Sequence, residues 1–139
     1  MNICKSSEDY LEMMLMLQRG KGYIRSVDIA AGLGVTKPSV SYAVKRLREN
    51  GYIEMDGTGN ITLTQSGREI AEEMFNRHTI LTTHLMNLGV PEDKACEDAC
   101  QIEHVISDES FKAISRSVRL SGITHSCESC HIADECSKH

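Results

Sequence analysis

Apolar side chains at Tyr10, Leu11, Met14, Leu15 and Leu17 fall close to helical spacing across residues 7–19, and Gly20 and Gly22 end the run, so a first helix is expected there. After Tyr23 and Ile24, Ser26 can cap a short helix from Val27 to Leu33 that stops at Gly34. A third helix opens at Thr36-Lys37-Pro38, where proline suits the first turn, and runs to about Asn50. Two short helices separated by a few residues with a glycine have the form of a helix-turn-helix, whose second helix enters the major groove of DNA. Residues 51–55 and 60–63 then read as short strands joined by Asp56-Gly57-Thr58-Gly59, whose glycines tolerate the positive φ of a hairpin. A hairpin directly after a recognition helix is a wing.

The pattern then returns to helix. Ser66-Gly67-Arg68-Glu69 has the capping-box form, and Ile70, Met74, His78, Leu81, Leu85 and Leu88 follow at steps of three or four. Pro91 begins another helix with Ala95, Ala99, Ile102 and Ile106 on one side, and a last helix spans Asp108 to Leu120. The expected fold class is mainly α with a small β-hairpin wing.

Composition narrows the class. With 139 residues, 40% hydrophobic and 25% charged, the chain can fold as one compact domain or as a small domain with a helical extension. No run approaches 18 apolar residues and the first five residues hold no apolar segment, which implies a soluble, cytoplasmic protein with no membrane partner. Six cysteines without an export signal suggest metal binding or free thiols rather than disulfides.

The net charge of −5 looks unsuited to DNA until it is resolved along the chain. Residues 71–110 carry two basic and nine acidic side chains, whereas residues 36–50 set Lys37, Lys45, Arg46 and Arg48 against Glu49 alone. That local excess suits phosphates, and the acidic middle suits cations or a solvated helix face.

Cys100-Gln101-Ile102-Glu103-His104 carries the most chemistry. On a helix Cys100 lies one turn before Glu103 and His104, so a thiolate, a carboxylate and an imidazole can converge on one ion. The same triple also reads as a buried cysteine beside a solvated Glu-His pair. His78 falls inside an apolar stripe, where an imidazole needs a partner, and it reads equally as a satisfied core histidine. Asp9 and Glu12 are three residues apart and can face one way, though Ser6-x-x-Asp9 is also a helix-start pattern.

These residues, with Ser7-Glu8-Asp9-Tyr10-Leu11-Glu12, Asp28-Ile29-Ala30, Pro38-Ser39-Val40-Ser41, Leu63-Thr64-Gln65-Ser66-Gly67, Arg77-His78 and the run from Glu97 to Asp108, resemble the diphtheria toxin repressor and manganese transport regulator family of metal-dependent repressors. The resemblance extends to about residue 120 and is to the short, two-domain type. It implies a winged helix-turn-helix over residues 1–72, a helical dimerisation and metal-binding domain over 73–121, and a Cys/His-rich tail over 122–139. It further implies a divalent-metal site formed by Asp9, Glu12, His78, Cys100, Glu103 and His104. Cys100 matches the iron-type members and Asp9 the manganese-type; the thiolate shifts the expectation to Fe²⁺ over Mn²⁺. The carboxylate of the iron-type ancillary site is replaced by Thr82.

The tail offers a second metal site at Cys127, Cys130, His131 and Cys136, for Zn²⁺ or an iron–sulfur cluster, or else free thiols. Thr36, Lys37, Ser39, Ser41, Tyr42, Lys45, Arg46 and Arg48 are the expected DNA contacts. The resulting function is a homodimeric, metal-dependent repressor that binds a palindromic operator of metal-homeostasis genes and acts on no small organic substrate. Two rivals stand beside it: a repressor sensing redox state or a cluster through its C-terminal cysteines, and a metal-dependent hydrolase whose ion activates water.

Overall fold

The structure, a computed structural model, describes residues 5–121. Its elements are α1 (Lys5–Lys21), α2 (Ser26–Leu33), α3 (Lys37–Glu49), β1 (Ile53–Met55), β2 (Ile61–Leu63), α4 (Gln65–Asn87), α5 (Glu92–Ile102) and α6 (Asp108–Ser121). The fold is mainly α with one two-stranded hairpin, and the chain divides into two compact units, Met1–Glu73 and Met74–His139.

In the first unit α1 packs on α2, α3 and β2, and α3 packs on α2 and β1. Leu11, Met14 and Leu15 of α1, Ile29 of α2, Val40, Val44 and Leu47 of α3, and Ile53, Ile61 and Leu63 of the hairpin are all buried. Val40, Val44 and Leu47 stand at steps of four and three, so α3 buries a single side. Thr36 caps it by accepting the Ser39 N–H at 3.3 Å, and Pro38 sits in its first turn. Gly34 ends α2 in the left-handed region (φ 65°), which lets the chain turn sharply into α3.

The hairpin is antiparallel, with Ile53 opposite Leu63 and Met55 opposite Ile61, while Glu54 and Thr62 face solvent. At its tip the Asp56 carboxylate accepts the backbone N–H groups of Thr58 (2.9 Å) and Asn60 (3.0 Å) and the Thr58 hydroxyl (2.7 Å). These bonds, the Thr58 hydroxyl's first, hold the Asp56 pKa below its ordinary 3.8. Gly59 takes the positive φ that closes the turn.

Two helix starts differ from the sequence expectation. Ser26 is the first residue of α2 rather than its cap, and Arg25 occupies the cap position with no side-chain bond. At α4 the cap is Thr64, not Ser66: its hydroxyl accepts the Gly67 N–H at 3.3 Å and donates to the Gly51 carbonyl at 2.7 Å. The helix therefore begins two residues earlier, at Gln65, and is tied to the base of the wing. Only glycine fits at position 67, since a Cβ there would lie 2.0 Å from the Tyr52 carbonyl oxygen.

In the second unit Met74, Ile80, Leu81, Ala95, Cys96, Ala99 and Val118 are buried. Leu85 is half-buried, and Leu88 lies beyond the end of α4 and is exposed, so the apolar stripe is shorter than its spacing suggests. The Val90 N–H bonds back to the Leu85 carbonyl at 3.0 Å around Gly89 (φ 102°).

Candidate metal centre and nucleic-acid interface

His78 is fully buried on α4, and its side chain gathers the second unit's donors. Its Nδ1 lies 3.0 Å from Glu103 Oε2, and the Glu103 side chain is itself 1% exposed. Cys100 Sγ lies 3.6 Å from the same nitrogen, and His104 Nε2 lies 3.3 Å from Glu103 Oε1. The four expected ligands of this unit, His78, Cys100, Glu103 and His104, thus form one connected group. A buried carboxylate and imidazole with a second imidazole beside them, joined by the Cys100 thiolate once its disulfide is reduced, match the donors a divalent transition ion takes, so the residues fit such an ion.

Local structure explains the approach, with one correction. α5 ends at Ile102, so Glu103 and His104 belong to the turn after it and not to a continuing helix. Glu103 still has helical torsions and donates its N–H to the Ala99 carbonyl at 3.0 Å, which preserves the one-turn offset from Cys100. Arg77, one residue before His78, braces this turn. Its Nη1 donates to the carbonyls of Glu103 (3.3 Å) and Ile106 (3.1 Å), its Nη2 pairs with Asp108, and its guanidinium lies 5.2 Å from the centre of the Phe111 ring.

Cys96 belongs to the same group and was not among the expected ligands. Its Sγ lies 3.4 Å from His78 Nε2, and His78, Cys96 and Cys100 offer ligand atoms all within 4.8 Å of one another. The signal was present in the sequence, because Cys96 and Cys100 are one helical turn apart. Both cysteines, the two among the described residues, are in the disulfide form. Thr82, at the place of an iron-type carboxylate, is buried and supplies only a hydroxyl.

Asp9 and Glu12 lie on α1 in the first unit, three residues apart, Asp9 half-buried and Glu12 buried. Cys127, Cys130, His131 and Cys136 lie outside the described residues, as does the tail they belong to.

The expected DNA contacts, Thr36, Lys37, Ser39, Ser41, Tyr42, Lys45, Arg46 and Arg48, are all exposed, at the cap and along the open side of α3. The Arg46 guanidinium lies 5.8 Å from the Tyr42 ring centre and donates to the Tyr42 hydroxyl at 3.4 Å, so two long side chains are pre-ordered together. The wing strands carry no basic residue, and Glu54 and Asp56 are exposed there.

Residues 2–60 match the N-terminal DNA-binding domain of iron-dependent repressors, and residues 64–121 match their metal-binding and dimerisation domain. The chain belongs to the iron-dependent repressor family. This repressor-family chain is 41% identical over 106 residues to the transcriptional regulator MntR of Escherichia coli O157:H7, covering 76% of this chain and 68% of the relative. It is 34% identical over 115 residues to the HTH-type transcriptional regulator MntR of Lysinibacillus sphaericus, covering 83% of each. Among solved structures it resembles a manganese-dependent transcriptional repressor in complex with manganese (30% identity, TM-score 0.75, 81% of this chain and 52% of that one). It also resembles IdeR of T. acidophilum (29% identity, TM-score 0.72, 84% and 54%). The chain spans about half the length of these solved chains.

Membership makes the protein a metal-dependent transcriptional regulator with a winged helix, and not an enzyme, which removes the hydrolase reading. Among the described residues no helix is long and apolar enough to cross a membrane.

Proposed function

We propose that this chain is a homodimeric repressor that binds operator DNA when a divalent transition metal, Mn²⁺ ahead of Fe²⁺, is held by Asp9, Glu12, His78, Cys100, Glu103 and His104. The observation that carries the reading is the buried His78–Glu103 pair, with Cys100 and His104 against it. A buried carboxylate facing an imidazole is costly to keep without a cation, and an ion there supplies the missing charge. The preference for Mn²⁺ replaces the Fe²⁺ expectation drawn from Cys100. It is supported by the manganese complex at 30% identity and by the three carboxylates of the set. The relatives named above give no support to an iron–sulfur cluster.

Binding one conformation better than another is how an ion shifts DNA affinity. Thr36, Lys37, Ser39, Ser41 and Tyr42 contact bases and phosphates from the start of α3, and Lys45, Arg46 and Arg48 add phosphate contacts. Val105 and Leu120, 80% and 88% exposed, leave apolar surface that a second copy of the chain would cover.

The test is DNA binding by the purified chain to sequences it selects from a random pool with Mn²⁺ present. Mn²⁺ should support binding to a palindrome and a chelator should abolish it. Binding indifferent to chelator would refute the proposal.

A further inference from the structure

Cys96 and Cys100 stand one turn apart on α5, and both are in the disulfide form. Their sulfurs face α4 together: Cys96 Sγ lies 3.4 Å from His78 Nε2, and Cys100 Sγ lies 3.6 Å from His78 Nδ1. An intact helix carries the bond. With it in place α5 runs from Glu92 to Ile102, the Glu103 N–H reaches the Ala99 carbonyl at 3.0 Å, and His78 Nδ1 faces Glu103 Oε2 at 3.0 Å. Such a bond is a poor structural staple, because closing so short a loop restrains the unfolded chain little. A transcriptional regulator also meets its DNA in a compartment that keeps thiols reduced, where disulfides are transient and redox-sensing.

We propose that Cys96 and Cys100 are a modification site for hydroperoxides, a reversible dithiol–disulfide pair whose closure withdraws Cys100 from the metal-ligand set and so weakens metal-dependent DNA binding. A cysteine binds a metal as its thiolate, and a disulfide sulfur carries no charge to offer. Oxidation therefore removes one anionic donor while the His78 imidazole and the Glu103 carboxylate keep their places. This rests on the reading under Proposed function that Cys100 is a ligand. What it adds is Cys96, which gives that ligand a partner to close on.

Exposure divides the roles. Cys100 is half-buried and meets the peroxide, whereas Cys96, 2% exposed, is shielded from it. The Cys100 sulfur attacks the peroxide O–O bond, becomes a sulfenic acid and releases one water. The Cys96 sulfur then displaces the hydroxyl, forming the S–S bond and releasing a second water. In all, the two thiols give up two electrons and two protons, and the peroxide takes them. A dithiol reverses the change by exchange and is itself oxidised to a disulfide. A bound ion holds the Cys100 sulfur and should slow the first step.

The test exposes the full, reduced chain, metal-free or loaded with Mn²⁺, to hydrogen peroxide, then alkylates it and digests it with trypsin. Peptide 95–112 holds both cysteines and no other. It should lose two hydrogens and escape alkylation, and Mn²⁺ bound beforehand should delay this. Oxidised chain should bind Mn²⁺ about tenfold or more weakly than reduced chain. Dithiothreitol should restore the affinity, and both metal-free forms should show a cooperative thermal transition. In Cys96→Ala and Cys96→Ser, peptide 95–112 should gain oxygen instead. With excess peroxide their fall in Mn²⁺ affinity, each against its own reduced state, should resist dithiothreitol, because an unresolved sulfenic acid goes on to sulfinic acid.

The proposal is overturned if the parent peptide gains oxygen without losing two hydrogens, or if both Cys96 variants recover as fully as the parent. An oxidised chain that has lost its thermal transition overturns it too, since unfolding then accounts for the lost affinity. A bond that forms while Mn²⁺ affinity stays at its reduced value defeats the switch alone. Reduced parent protein that binds no Mn²⁺ defeats the reading under Proposed function, and the switch with it.

Discussion

On α3 the side chains assigned to DNA stand in solvent, and the helix is held from behind by Val40, Val44 and Leu47. On α4, α5 and the turn that follows, the assigned groups are themselves part of the interior: His78 and Glu103 are among the largest fully buried side chains. The first arrangement separates function from folding, so its residues can be exchanged at little cost to stability. The second merges them, so a change in a ligand or its brace is also a change in the core.

The most severe break should come from Arg77→Ala. It removes the donor to the carbonyls of Glu103 and Ile106 and the partner of Asp108, so the turn carrying the two proposed ligands Glu103 and His104 loses its brace. A loss of roughly 2–5 kcal/mol is expected by chemical denaturation, since each unpaired buried polar group costs about 1–3 kcal/mol. Mn²⁺ affinity should fall with it.

Gly67→Ala should come next, at about 1–3 kcal/mol, because the new Cβ meets the Tyr52 carbonyl and the wing base must move. Thr36→Ala removes the cap of α3 and should cost about 1 kcal/mol in the same assay. Lys45→Ala should leave the thermal midpoint unchanged while weakening DNA binding at every sequence and lowering the salt slope by about 1. A marked loss of stability in Lys45→Ala would break the contrast between the two regions.

The smallest effect concerns the wing tip. Asp56 has a folded pKa below its ordinary 3.8, so its contribution is fully present above that value and is lost as pH falls through the depressed one. Amide exchange at Thr58 and Asn60 should therefore stay slow at neutral pH and accelerate only in that acid range. Asp56→Asn should blunt the dependence.

The readable parts of this fold were those set by local rules. The α3 stripe, the Thr36 cap, Pro38 and the hairpin glycines each carry their own signal, and the helix-turn-helix with its wing follows from them. The misplaced cap depended on contacts distant in sequence, and the overlong stripe on the turn at Gly89. Ser66 has the form of a cap, but the Thr64 hydroxyl accepts the Gly67 N–H, while both hydroxyls reach the Gly51 carbonyl, thirteen and fifteen residues away. Leu88 keeps the helical step, yet the chain turns at Gly89 before it can be buried.

At the site, Cys100, Glu103 and His104 were legible from spacing, and His78 from its odd place in an apolar stripe. Cys96 also had helical spacing from Cys100 but sits beside Ala95 among buried small residues, where a cysteine reads as packing. Only the distance to His78 Nε2 distinguishes it. Arg77 could not be singled out at all, because its partners lie 26 to 31 residues further along.

The central claim, that an ion bound through the second unit's buried donors controls DNA binding by the first, is tested most directly by linkage. Mn²⁺ affinity is measured by titration of the chain with and without saturating selected palindrome. Operator DNA should tighten Mn²⁺ binding by the same factor by which Mn²⁺ tightens DNA, about 5–150-fold for a typical coupling. Equal Mn²⁺ affinities with and without DNA would contradict it.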